Sequence, residues 1–239
     1  MEEKPGKKLI VALDTSEELR VRELVARLDG QVDFFKVGLE QYLASRGKVL
    51  DFLSSRGKGI FLDLKFHDIP NTMAAAARQA VAAGVWMFNL HITGREALQW
   101  VVEAVVDETA KRGGEQPLLI GVTVLTSLAE QDLSELGIEL TAEELVVKRA
   151  LLAREVGLNG VVASAREARK IKEACGRDFL TVCPGIRPDW SVKGDQKRVL
   201  SPAAALKNGA DYLVIGRAIT RAEQPEQAVE MIIKEMEGI

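Results

Sequence analysis

Short runs of apolar, often β-branched residues recur along the chain and alternate with longer segments whose apolar positions return every three or four residues. The short runs have the character of buried strands and the longer segments that of amphipathic helices, so the order predicts successive βα units carrying a parallel sheet. Strands are expected at Leu9–Leu13, Phe34–Val37, Ile60–Leu64, Met87–Leu90, Leu118–Val122, Gly160–Ala163, Phe179–Val182 and Tyr212–Ile215. That is the strand number of a (β/α)8 barrel, and with no linker or repeat in between, the expectation is one α/β barrel domain over residues 1–239. Helix starts fit this order. Thr15-Ser16-Glu17-Glu18 and Thr141-Ala142-Glu143-Glu144 match capping boxes, Ser201-Pro202 sets an N-cap before a first-turn proline, and Asn208-Gly209 ends that helix. The stretch Pro184–Arg198 lacks periodicity and holds Gly185, Pro188 and Gly194. A loop of that length in a compact domain is commonly a functional lid.

Composition narrows the class of function. Hydrophobic residues at 47% and charged residues at 28% are ordinary for a globular domain, and 239 residues suffice for one large core. A net charge of −3 and aromatics at 5% argue against a nucleic-acid partner, which needs a basic surface and stacking platforms. The start, Met1-Glu2-Glu3-Lys4-Pro5, has no apolar targeting core, and no run approaches the roughly 20 apolar residues that span a bilayer. No membrane contact and a cytoplasmic location are therefore expected. Cys175 and Cys183 lack a Cys-x-x-Cys spacing and His67 and His91 are the only histidines, so reduced thiols and no metal are expected.

Barrel enzymes assemble their sites at the C-terminal ends of the strands. The polar residues that close the apolar runs here are Asp14, Lys36, Asp63 with Lys65, His91, Thr123, Ser164, Pro184 and Gly216-Arg217. In Phe61-Leu62-Asp63-Leu64-Lys65-Phe66-His67-Asp68, period-two alternation puts Asp63 and Lys65 on one face, pointing inward. Buried charges cost several kcal/mol each unless compensated, so the pair should belong to an alternating network, with Lys36, Asp14 and Asp68 as its natural members. The plain alternative is a structural ion pair capping the barrel. A Schiff-base role would need a lysine stripped of its proton. Flanking carboxylates favour the ammonium instead, so Lys65 reads as a proton donor.

Gly185, Arg187, Gln196 and Gly216-Arg217 sit in the loops after the seventh and eighth strands, where barrels often bind phosphate. Arg217 would grip the anion through two bonds and Gln196 would close over it, the alternative being a tight turn with a solvated arginine. Thr126 and Ser164 offer rim hydroxyls for a heterocycle, although Ser164 also suits a cap for a helix starting near Ala165. His67 and His91 suit supporting hydrogen bonds better than catalysis, and the cysteines suit packing.

The segment Asp63-Leu64-Lys65-Phe66-His67-Asp68-Ile69-Pro70-Asn71-Thr72 resembles the signature of the orotidine 5'-phosphate decarboxylase family. Val11–Asp14, Phe35–Gly38, Thr123–Ser127, Val161–Ser164, Pro184–Pro188 and Ile215–Arg217 are similar to family segments in the same order, so the likeness covers essentially the whole chain. It implies a carboxy-lyase of pyrimidine biosynthesis that converts orotidine 5'-monophosphate to uridine 5'-monophosphate without a cofactor. It further implies that Asp14 and Lys36 contact the ribose, Asp63 faces the substrate carboxylate and Lys65 protonates C6. Asp68, Ile69 and Thr72 would enter the partner's site in a homodimer. Thr126 and Ser164 would hold the pyrimidine, and Pro184, Arg187, Gln196, Gly216 and Arg217 belong to the phosphate side.

Two other readings compete. A magnesium-dependent sugar-phosphate decarboxylase or aldolase of the same superfamily uses a similar Asp-x-Lys-x-x-Asp segment, but carries an acidic ligand near the second strand, where this chain has Lys36. A non-catalytic barrel that only binds a nucleotide would have no need for both Asp63 and Lys65.

Overall fold

A computed structural model describes residues 5–191 and 199–238 of the chain. Eight parallel strands close on themselves in sequence order: β1 (Leu9–Ala12), β2 (Phe34–Gly38), β3 (Gly59–Phe66), β4 (Met87–His91), β5 (Leu118–Val122), β6 (Gly160–Val162), β7 (Leu180–Cys183) and β8 (Tyr212–Ile215), with β8 pairing back onto β1. The expected strands are all present, with boundaries shifted by a residue or two. Around them run α1 (Glu18–Arg27), α2 (Leu39–Ser45), α3 (Lys48–Ser55), α4 (Pro70–Ala82), α5 (Arg95–Arg112), α6 (Glu130–Glu135), α7 (Ala142–Glu155), α8 (Ala168–Cys175), α9 (Pro202–Lys207), α10 (Arg217–Thr220) and α11 (Pro225–Glu237). No helix among the described residues is long and apolar enough to cross a membrane.

Alternation along each strand divides the core in two. Leu9, Val11, Phe35, Ile60, Leu62, Phe88, Leu119, Val161 and Leu213 face outward into the layer shared with the helices. Ile10, Ala12, Phe61, Met87, Ile120, Val182 and Val214 face one another inside the barrel. At the N-terminal end of the strands Phe34 stacks on Trp86 with centroids 4.0 Å apart, and Tyr212 meets Trp86 edge-on at 5.3 Å. This aromatic plug seals the bottom, so polar inward positions can meet only at the opposite, C-terminal end.

The helix signals fare unequally. Thr141 accepts a hydrogen bond from the Glu144 amide while Glu144 accepts from the Thr141 amide, completing the expected box at the start of α7. Ser201 likewise caps α9, with Pro202 in its first turn. The box at Thr15 does not form: the hydroxyl accepts from the Glu17 amide at 3.3 Å, and α1 starts at Glu18 without a side-chain cap. Because the N-cap of α1 is Glu17, Thr15 stands two residues ahead of the capping position. After β6 the chain makes one extra turn, so α8 begins at Ala168 rather than near Ala165.

Candidate active site at the barrel mouth

The inward polar residues of the first three strands form a chain of alternating charge. Lys36 Nζ lies 2.8 Å from Asp14 Oδ1 and 3.2 Å from Asp63 Oδ2, while Lys65 Nζ lies 2.6 Å from Asp63 Oδ1. Lys36 and Asp63 are only 8% and 9% exposed, so neither charge would be tolerable alone. Burial pulls the Lys36 ammonium down, but the carboxylates of Asp63 and Asp14 outweigh it and hold it above its ordinary value. Burial raises the Asp63 carboxyl, yet Lys36 and Lys65, with hydrogen bonds from Lys65 and Asn89, bring it below its ordinary value. Lys36 and Asp63 are thus each held by their neighbours as ions at neutral pH.

Gly38 makes room for this array. A Cβ there would lie 3.1 Å from Lys36 Nζ and 3.3 Å from Asp14 Oδ1, tighter than packed side chains ordinarily stand.

The path to Lys65 is not the regular strand that alternation predicts. Between Leu62 and Phe66 four steps on β3 face two on β4, because Leu62 pairs with Phe88 and Phe66 with Leu90. Lys65 takes a left-handed backbone, φ 52°, inside this bulge. Its amide donates to Asn89 Oδ1 at 2.8 Å instead of joining the ladder. Bulges re-aim a side chain, and this one delivers the ammonium to Asp63.

Beside the array opens a cavity of about 700 Å³, walled by Asp14, Lys36, Pro184, Arg187, Gly216 and Arg217 together with Glu40, Trp190, Ser191 and Arg221. Its base on the β7 side is pinned where Ile186 bridges Leu200 and the Arg187 amide donates to the Leu200 carbonyl at 2.9 Å. Asp14 and Lys36 belong to both the wall and the array, so the cavity opens directly onto the charge chain.

Residues 7–232 match the family described as orotidine 5'-phosphate decarboxylase / HUMPS. The chain belongs to that family. A protein from Moorella thermoacetica named orotidine 5'-phosphate decarboxylase is 51% identical over 234 residues, covering 97% of this chain and 93% of the relative. One of the same name from Nostoc is 48% identical, covering 96% and 97%. The crystal structure of orotidine 5'-phosphate decarboxylase from Lactobacillus acidophilus superposes with a TM-score of 0.85 at 34% identity, over 96% of this chain and 99% of that one.

Within this family framework the remaining expected residues are spread over the rim. Asp68, placed by the sequence in the network, forms no ion pair within 4.0 Å among the described residues; its carboxylate accepts from the Ile69 amide at 2.7 Å. The turn into α4 thus engages its carboxylate locally. Ile69 is 66% exposed and Thr72 is exposed, so this segment lies at the surface. Thr126 is half-buried in the turn after β5, and Ser164 is buried, its hydroxyl accepting from the Arg166 amide and its own amide donating to Glu167. Neither lines the cavity. Gln196 lies outside the described residues.

His67 and His91 stack with centroids 5.1 Å apart at the rim. Burial, then the positive charge of His67, Lys65 and Arg149, holds His91 below the usual histidine range, which suits a neutral supporting ring. Both cysteines are buried and free, and burial pushes their thiols up, away from reactivity.

Asn89 at the bulge and Glu40, Trp190 and Arg221 around the cavity were not singled out from the sequence. Asn89 was legible in principle, as the inward position two before His91 on β4.

Proposed function

We propose that this chain decarboxylates orotidine 5'-monophosphate to uridine 5'-monophosphate, without a cofactor. The observation that carries the reading is the alternating array Asp14–Lys36–Asp63–Lys65 at the edge of a cavity that Arg187 and Arg217 also line. The phosphate docks at Arg187, Gly216 and Arg217, assisted by Pro184 and Gln196, and two guanidinium groups suit a dianion. The ribose hydroxyls meet Asp14 and Lys36. The pyrimidine lies toward Thr126 and Ser164, which puts its carboxylate near Asp63 and C6 near Lys65. The C6–carboxylate bond breaks, carbon dioxide leaves, and the electron pair left on C6 takes a proton from Lys65 Nζ. Solvent then returns a proton to the lysine.

A localised carbanion demands preorganised positive charge, and an ammonium locked to a buried carboxylate supplies it without reorganisation. Asp63, held as an anion, opposes the substrate carboxylate and favours its departure. Binding energy at the distant phosphate is spent on holding the pyrimidine against this array. Exposed Ile69, with Asp68 and Thr72 beside it, supports a homodimer in which this segment completes the partner's site. Two buried free thiols accord with a reducing, cytoplasmic setting.

The magnesium-dependent reading needs carboxylates open to a cation. Here an ammonium sits between Asp14 and Asp63 and would repel one. The test is an absorbance assay of purified protein on orotidine 5'-monophosphate with and without a chelator. Steady loss of the orotate chromophore, unchanged by chelator, is expected. No turnover, or turnover that a chelator abolishes and magnesium restores, overturns the reading.

A further inference from the structure

Opening β3 by two residues costs the sheet its ladder bonds at the point where Lys65 must be displayed. A non-glycine residue with φ 52° also carries backbone strain that its surroundings must offset. One side chain answers both demands. Asn89 of β4, 1% exposed, accepts the Lys65 amide at 2.8 Å through Oδ1 and donates through Nδ2 to Asp63 Oδ1 at 2.6 Å. Its orientation is dictated by chemistry, since a backbone N–H can bond only the amide oxygen and an ionised carboxylate only the NH2 group. The carboxylate oxygen it holds is the same one that receives the Lys65 ammonium.

We propose that Asn89 is a positioning residue of the decarboxylation site, a clamp that keeps the β3 bulge open and aims Lys65 and Asp63 together. The inference rests on the proposed function for its kinetic consequence, but its geometric content stands apart. No other side chain among the described residues accepts the Lys65 amide. Lys36 reaches the other oxygen of Asp63, so it cannot replace the Asn89 bond.

Two substitutions test the clamp. Asn89→Leu keeps the volume and removes both bonds. Asn89→Asp keeps an acceptor for the Lys65 amide but sets a second carboxylate against Asp63. Asn89→Leu is expected to lower kcat by about 100-fold while KM and the affinity for uridine 5'-monophosphate stay within about threefold, the pattern of a lost aim rather than a lost pocket. In Asn89→Asp the paired carboxylates share a proton, and the protonated form regains the donor. Its kcat relative to the unsubstituted protein should therefore rise as pH falls. Charged and titratable groups around position 89 are Asp63 and Lys65 on β3, Lys36 on β2, His67 and His91 at the rim and Arg149 on α7. All are common to both proteins, so the ratio isolates the new carboxyl.

A kcat loss under about threefold in Asn89→Leu, a loss expressed mainly in KM, or a pH-independent ratio in Asn89→Asp overturns the proposal. If Asn89→Leu fails to fold, Asn89→Asp carries the test alone. Should the unsubstituted protein not decarboxylate the nucleotide, the proposed function fails by itself, and crystal structures of the two variants decide the clamp. Lys65 leaving its left-handed backbone and its contact with Asp63 supports the proposal, and Lys65 unmoved overturns it.

Discussion

On the β1–β3 side of the mouth the polar groups sit on strands or within two residues of one and touch one another directly, with Lys36 and Asp63 buried at the centre of the array. On the β7–β8 side they sit on loops and on the first turn of α10, around an open cavity, and Arg187 and Arg217 are at least partly accessible. The contrast separates two jobs. Charges that must be placed to within a fraction of an ångström are mounted on the rigid sheet and neutralise each other, whereas groups that must admit and then grip an anion are mounted on segments that can adjust. Damage to the first side should appear in kcat or in folding, and damage to the second in affinity.

The largest effect expected is from Lys65→Ala, which removes the proton donor and should lower kcat by about 1,000-fold or more with product affinity little changed. Single-turnover kinetics would check it, and a loss carried by KM instead would erase the division between the two sides. Next comes Lys36→Met, which leaves Asp14 and Asp63 without their shared cation and should cost about 3 kcal/mol or more in urea unfolding at neutral pH. An unchanged midpoint would mean that the array is not what makes its own burial tolerable. Arg217→Ala should raise KM by about 10- to 100-fold, the worth of one charged hydrogen-bonding group, with a smaller change in kcat. Equal loss in both constants would show that grip and chemistry are not separable.

Stability against pH sharpens the same contrast. The Asp63 carboxyl is lowered on folding, so its contribution is complete above its ordinary value of 3.8 and is lost as pH falls through the still lower folded value. Lys36 is raised, so its contribution is complete below 10.5 and is lost as pH rises through the higher folded value. The array should therefore add a constant amount to unfolding free energy between those limits, and Asp63→Asn or Lys36→Met should remove the corresponding acid or alkaline slope. The smallest effect is expected from Gln41 on α2, 1% exposed with neither side-chain polar atom bonded among the described residues. Gln41→Leu should stabilise the fold by about 1 kcal/mol, read as a raised Tm, since an unsatisfied buried amide is exchanged for a hydrocarbon of similar size. A drop in Tm would indicate that the amide has a partner in solution.

Periodicity and composition were enough for the strand order, the barrel and the inward faces of β1 to β3, because a two-residue period leaves one face for each side chain. Asp14, Lys36, Asp63 and Lys65 could be grouped on those grounds, and the box at Thr141 followed from local geometry. Thr15 presents the same local pattern and fails, because α1 starts at Glu18 with Glu17 as its N-cap, which leaves Thr15 two residues ahead of the capping position. Asp68 lies three residues from Lys65 in sequence yet makes no ion pair with it among the described residues, its carboxylate taking instead the amide of Ile69, the N-cap of α4. The bulge at Lys65 and its support by Asn89, 24 residues on, could come only from the tertiary structure. A local pattern records which way a side chain points on an ideal strand. The register between two strands, and hence the place where one of them must bulge, is settled by the packing of both against the closed barrel.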